Sequence, residues 1–105
     1  MDFIYENGDG VPQDKAKAAK LYRKAAEQGN ATAQLNLGVS YVKGSGVPQD
    51  NAKAYMFFNL AAAQGDKDSE EIIKIIKKRM TKEQIAEGEK LTREWLERKA
   101  KENGE

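Results

Sequence analysis

Gly8-Asp9-Gly10, preceded by Asn7, is the segment whose residue types come nearest to ligand chemistry. Glycines let a backbone fold around a phosphate, and an amide beside a carboxylate can meet a metal ion. The segment recurs. Gly8 to Asp14 (Gly-Asp-Gly-Val-Pro-Gln-Asp) returns 36 residues later at Gly44 to Asp50 as Gly-Ser-Gly-Val-Pro-Gln-Asp, with Lys43 and Ser45 where Asn7 and Asp9 stood. The side chains a metal would need therefore do not recur, while the Gly, Val and Pro that define the backbone do. The spacing also departs from both the dinucleotide fingerprint and the calcium loop. The segment reads as a structural turn. Gly8, Gly10, Pro12, Asp14, Gly44, Gly46, Pro48 and Asp50, together with Gly38, are structural motif positions in this reading, with no ligand assigned to them.

Other chemistry is narrowed by composition. The chain has no His and no Cys, which removes zinc sites, disulfides, a thiol nucleophile and the commonest general base. Carboxylates are plentiful, but no partner base or apolar cleft marks any of them for acid/base work. Tyr5, Tyr41 and Tyr55 read as helix-packing residues. No catalytic residue, metal site or cofactor is assigned. Eighteen Lys and Arg against 17 Asp and Glu leave a net charge of +1, so the electrostatic case for nucleic acid or an anionic membrane is missing. The basic run Lys74, Lys77, Lys78, Arg79 and Lys82 has Glu70, Glu71 and Glu83 close by, with Glu70 four residues before Lys74 in the favourable helical order. It reads as a solvated helix face, as do the i, i+4 pairs Glu89 with Arg93 and Glu94 with Arg98. Met1-Asp2-Phe3-Ile4-Tyr5 is neither a signal peptide nor a membrane span, so the compartment stays open between cytoplasm and periplasm.

The elements that carry these residues follow from the repeat. Between Tyr5–Asn30 and Tyr41–Asp66, 14 of 26 aligned positions are identical, a period that signals stacked supersecondary units sharing one core. Ala16, Ala18, Leu21, Tyr22, Ala25 and Ala26 fall on one helix face, which predicts a helix from about Asp14 to Gln28 stopped at Gly29. Ala33, Leu37, Gly38 and Tyr41 form a second stripe ending at Gly44, and a further helix is predicted over 50–64. Asp14, Asn30, Asp50 and Asp66 are placed to act as N-caps, while Pro12 and Pro48 hold the residues before them extended. The helix over 50–64 has Met56, Asn59, Leu60 and Ala63 where the first copy has Lys20, Arg23, Lys24 and Glu27, so it is apolar around most of its girth. Its expected cover is a closing helix opened by the capping box Thr81-Lys82-Glu83-Gln84, whose Ile85, Leu91, Trp95 and Leu96 would pack near Met56, Leu60 and Ala63.

Ala33, Leu37-Gly38, Tyr41, Gly44, Gly46-Val47-Pro48-Gln49-Asp50, Ala54, Phe58, Ala61-Ala62 and Gln64-Gly65 resemble the Sel-one-like repeat, a relative of the tetratricopeptide repeat. That resemblance implies an all-α fold, a right-handed superhelix of antiparallel helix pairs. It also implies a bacterial-type scaffold that binds or assembles other proteins. Small residues at Gly38, Ala61 and Ala62 suit close helix approach, and Tyr41 and Phe58 fill the space between pairs.

The expected organisation is a single repeat domain over 1–105. Residues 1–30 form a truncated first repeat and 31–66 a complete second one. Residues 67–105 form a degenerate third helix pair acting as a C-terminal cap, in which Ile72, Ile73, Ile75, Ile76 and Met80 supply the apolar stripe. The first unit lacks the front of its opening helix, so the array either begins upstream or starts with a vestigial helix; in the first case the chain would be the C-terminal end of a longer array.

Arrays of this type line their concave side with the first helix of each pair. Outside the core stripe of that helix lie Asn36, Val39, Ser40 and Lys43, the candidate partner-binding residues for a protein or peptide. Related carboxylate-gripping proteins place Asn directly after the helix glycine, where this chain has Val39, so the expected contact is more apolar and shape-driven. Self-association through Phe3, Ile4 and Tyr5, giving a homodimer, is the alternative.

Overall fold

The structure is a computed structural model that describes residues 14–104. Gly8, Gly10, Pro12 and the Phe3-Ile4-Tyr5 surface lie outside the described residues. Five helices and no strand occur among those described: α1 (Lys15–Glu27), α2 (Ala31–Lys43), α3 (Asn51–Ala63), α4 (Lys67–Lys77) and α5 (Lys82–Glu102). Each helix starts where a short polar side chain accepts the amide three residues on. Asp14 accepts from Lys17, Asn30 from Ala33, Asp50 from Lys53, Asp66 from Ser69 and Thr81 from Gln84. Thr81 and Gln84 complete a reciprocal capping box.

Two backbone devices connect these helices. Gly44 closes α2 in the left-handed conformation, and Gly46 follows at φ +80°. Any Cβ at Gly46 would run into the Lys15 carbonyl, so the α2–α3 loop lies directly on the first turn of α1. The α1–α2 and α3–α4 turns are alike, with Gly29 at φ 89° and Gly65 at φ 91°.

The core gathers around α3, which packs against α2, α4 and α5. Ala52, Ala54, Tyr55, Met56, Phe57, Phe58, Leu60 and Ala61 are all buried, so this helix is covered on several sides. Against α2 the contact is close at Gly38, where a Cβ would stand 2.5 Å from the Phe58 ring. Tyr41 stacks on Phe57 at 5.8 Å between ring centres, and Phe57 meets the edge of Trp95 at 5.4 Å. Against α5 the contact is close at Gly88, where a Cβ would stand 2.6 Å from the Tyr55 ring and 3.0 Å from the Ala52 carbonyl oxygen. Further along, the Asn59 amide donates to the Thr92 hydroxyl at 3.3 Å. The pairings advance together, so α5 runs in the same direction as α3.

Several expected faces are rotated. On α1 the buried set is Ala18, Ala19, Tyr22 and Ala26, whereas Ala16 and Leu21 are exposed, because the seam onto α2 is centred one residue away from the stripe expected. Leu96 and Ala63 are exposed and separated by a cavity, because α5 meets α3 through Gly88, Thr92 and Trp95 and Leu96 points to the side of that line. Ile75 is 57% exposed: it lies about 100° round the helix from Ile76, the α4 isoleucine that is buried, at the edge of the face turned to α3. Lys74 pairs with Glu71 instead of Glu70, and Arg98 pairs with Glu27 and Glu102 instead of Glu94.

Candidate functional site

Helix α2 buries Ala33, Gln34, Leu37, Gly38, Ser40 and Tyr41 and leaves the opposite arc of its surface only partly covered. Leu35, Val39 and Val42 follow one another along that arc at i, i+4 and i+7, with Asn36 and Lys43 beside them. Asn36 is half-buried and lines a cavity of about 250 Å³ between α1 and α2, together with Leu21 and Ala25. Val39 is half-buried and touches the core, and Lys43 is exposed. Ser40 differs from the other three. It is 6% exposed, and its hydroxyl donates to the Asn36 carbonyl at 3.1 Å, so it faces its own helix and offers no atom to a partner.

Val42, which the sequence reading did not single out, lies 38% exposed at the end of the same arc. It lines a cavity of about 270 Å³ with Asn51, Ile72, Ile75, Ile76 and Arg79, between the end of α2, the start of α3 and the second half of α4. The signal that could have found it is the 35/39/42 stripe, a second apolar stripe on a helix whose 33/37/41 stripe is already committed to the core.

A third and larger cavity, of about 590 Å³, opens between the C-terminal halves of α3 and α5, with Leu60, Trp95 and exposed Leu96 on one side and Glu27 and Lys99 at its rim. Its edge is held by ions. Glu27 meets Arg23 at 3.1 Å, Arg98 at 3.4 Å and Lys99 at 3.5 Å, and Glu102 meets Arg98 at 2.9 Å and Lys99 at 3.2 Å. Burial pushes the Glu27 carboxyl up, but the hydrogen bond from Arg23 and the charges of Arg98 and Arg23 hold it below the ordinary carboxylate value. Hydrogen bonds from Lys99 and Arg98 lower Glu102 likewise. The Arg98 guanidinium stands 4.8 Å from the centre of the Trp95 ring.

Every buried side-chain nitrogen or oxygen among the described residues has a hydrogen-bond partner. Buried Gln34 shows how completely: it donates to the Ala26 carbonyl at 3.2 Å and accepts from the Gln64 amide at 2.9 Å, joining the ends of α1 and α3. No group of three or more acidic side chains among the described residues could hold a metal ion, and no helix among them is long and apolar enough to cross a membrane.

A family model described as the Sel1 repeat matches residues 3–30 and 31–66. Among solved structures, the chain is similar to a protective antigen present in uropathogenic Escherichia coli strains that displays an SLR fold, with 34% identity over 91% of this chain and 21% of that one and a TM-score of 0.85. It is also similar to a Sel1 repeat protein from Oxalobacter formigenes, with 39% identity over 69% of this chain and 30% of that one and a TM-score of 0.66. The chain thus spans less than a third of the length of either. No curated protein matches it. With two repeat matches, five capped helices stacked around one core and a solenoid neighbour over nine-tenths of its length, the chain belongs to the Sel1 repeat family of helical scaffolds, whose members generally mediate protein–protein interactions.

Proposed function

We propose that this chain is a non-enzymatic docking module that holds a peptide or a segment of another protein along the partly covered outer arc of α2. The observation that carries this reading is the stripe Leu35, Val39 and Val42, which continues to the exposed Ile75 across the cavity between α2 and α4. Leu35 and Val39 are half-buried against the core, and their outer sides, continued by exposed Val42 and Ile75, are the apolar surface a partner can cover. The helices that bear them are fixed by caps and by the Gly38–Phe58 contact, so the surface exists before the partner arrives and little ordering cost falls on the scaffold. Asn36 and Lys43 flank the stripe with an amide and a charge that can orient a bound backbone.

The test is a selection of displayed random peptides on the chain, followed by affinity measurements on variants. Replacing Asn36, Val39 and Lys43 together by Ala should weaken the selected peptides by about tenfold or more, and Leu96→Ser should leave them unchanged. Equal binding to the triple variant would move the site away from α2.

A further inference from the structure

We infer that the cavity at the end of α2 and α4 selects partner segments in which an aliphatic side chain stands within one or two residues of Asp or Glu; this deepens the docking reading above and rests on it. Two observations meet here. The walls are aliphatic, formed by Val42, Ile72, Ile75 and Ile76, and at about 270 Å³ the space is just under the roughly 300 Å³ at which small-molecule sites begin, so it suits one or two side chains. The rim is cationic. Arg79 lines the cavity with its guanidinium in no ion pair or side-chain hydrogen bond, and Lys43, Lys77, Lys78 and Lys82 extend from the same end of the molecule, also in no ion pair.

Among the described residues, the carboxylates at this end are fewer than the cations, and of them only Glu83 has no partner. Asp50 accepts the Lys53 amide at the start of α3, and Glu71 pairs with Lys74 at 3.5 Å. Arg79, Lys43, Lys77, Lys78 and Lys82 outnumber Asp50 and Glu83, so an acidic segment meets a net positive end, and the apolar wall supplies what charge alone does not. That wall also separates a peptide from a nucleic acid: a phosphodiester backbone would satisfy Arg79 and the lysines but has no aliphatic group to enter beside Ile75. The cationic rim contributes mainly to encounter rate and to rejection of basic segments, and the aliphatic contact holds the complex.

Fluorescence anisotropy with an end-blocked, fluorescein-labelled peptide EDLLEDE tests this, against EDSSEDE, KKLLKKK and a ten-nucleotide single-stranded DNA. EDLLEDE should bind at least about tenfold more tightly than either control peptide. Ile75→Ser should weaken it about tenfold, and Arg79→Gln about two- to fivefold, with the Arg79 effect vanishing in about 0.5 M salt. Both residues are exposed, so circular dichroism should show both variants folded. Equal binding of the control peptides, insensitivity to both substitutions, or DNA binding in place of peptide binding overturns the inference. Peptide binding lost on Asn36→Ala with Lys43→Glu but untouched by Ile75→Ser also overturns it, while leaving the α2 reading intact. If no peptide of any composition binds, both fall.

Discussion

At the scale of single residues, two glycines are fixed by what a Cβ in their place would meet. Gly88 sits inside α5, where Ala would ordinarily be preferred by about 1 kcal/mol. Yet a Cβ there would press into the Tyr55 ring and the Ala52 carbonyl, so Gly88→Ala should lower stability by about 1–3 kcal/mol in urea denaturation, reversing the helix-propensity sign. Gly46→Ala should cost at least as much, because it combines a left-handed backbone with a collision against the Lys15 carbonyl that no side-chain rotation relieves. Equal stability of either variant would show that α5 or the α2–α3 loop can shift away at little cost. The glycines themselves were visible in the sequence; their neighbours were not, since Gly46 touches a residue 31 positions earlier. Gln34 was invisible for the same reason. A glutamine on a helix gives no sign that it will bridge the ends of two others.

At the scale of elements, α5 is the helix on which the others depend. It covers Tyr55 and Phe57 and contributes Trp95, so removing residues 82–105 exposes a large aromatic surface of α3. Each buried side chain of this kind contributes roughly 1.5–3 kcal/mol, and several are uncovered at once. The truncated chain should be insoluble or molten, with helical far-ultraviolet dichroism, no near-ultraviolet signal and strong binding of a hydrophobic dye. A soluble, cooperatively unfolding monomer would show that α5 is dispensable. Helix positions were legible because a repeated Gly-Val-Pro-Gln-Asp turn and an Asp or Asn cap punctuate the chain. Helix rotation was less so. Four isoleucines in five residues state that α4 has an apolar side, but only packing against α3 decides that Ile76 goes in and Ile75 stays out, and with it where the cavity beside Arg79 forms.

At the scale of the whole molecule, the ion cluster around Glu27 joins the first described helix to the last. Both Glu27 and Glu102 are held below the ordinary value of 4.5, so their contribution is present at neutral pH and fades as pH falls through that value toward the lower folded one. Glu27→Gln should therefore lower the urea midpoint slightly at pH 7, by less than about 1 kcal/mol in stability, and flatten the decline expected of the native chain between about pH 5 and pH 3, followed through Trp95 fluorescence. A parallel pH profile in the two proteins would remove the cluster from the account. The cluster lay beyond sequence reading because helical spacing favoured Glu94 for Arg98, and only the direction of α5 brings Glu27 within reach instead.

That reach changes how the chain should fold. In an open stack each repeat meets only its neighbours, so structure can start anywhere and spread or fray one unit at a time. Here Arg98 touches Glu27 across 71 residues of sequence. Such a contact closes a long loop and forms late; exposed and worth less than about 1 kcal/mol, it ties α1 to α5 beyond its nearest neighbour and should delay the fraying of α1 without preventing it.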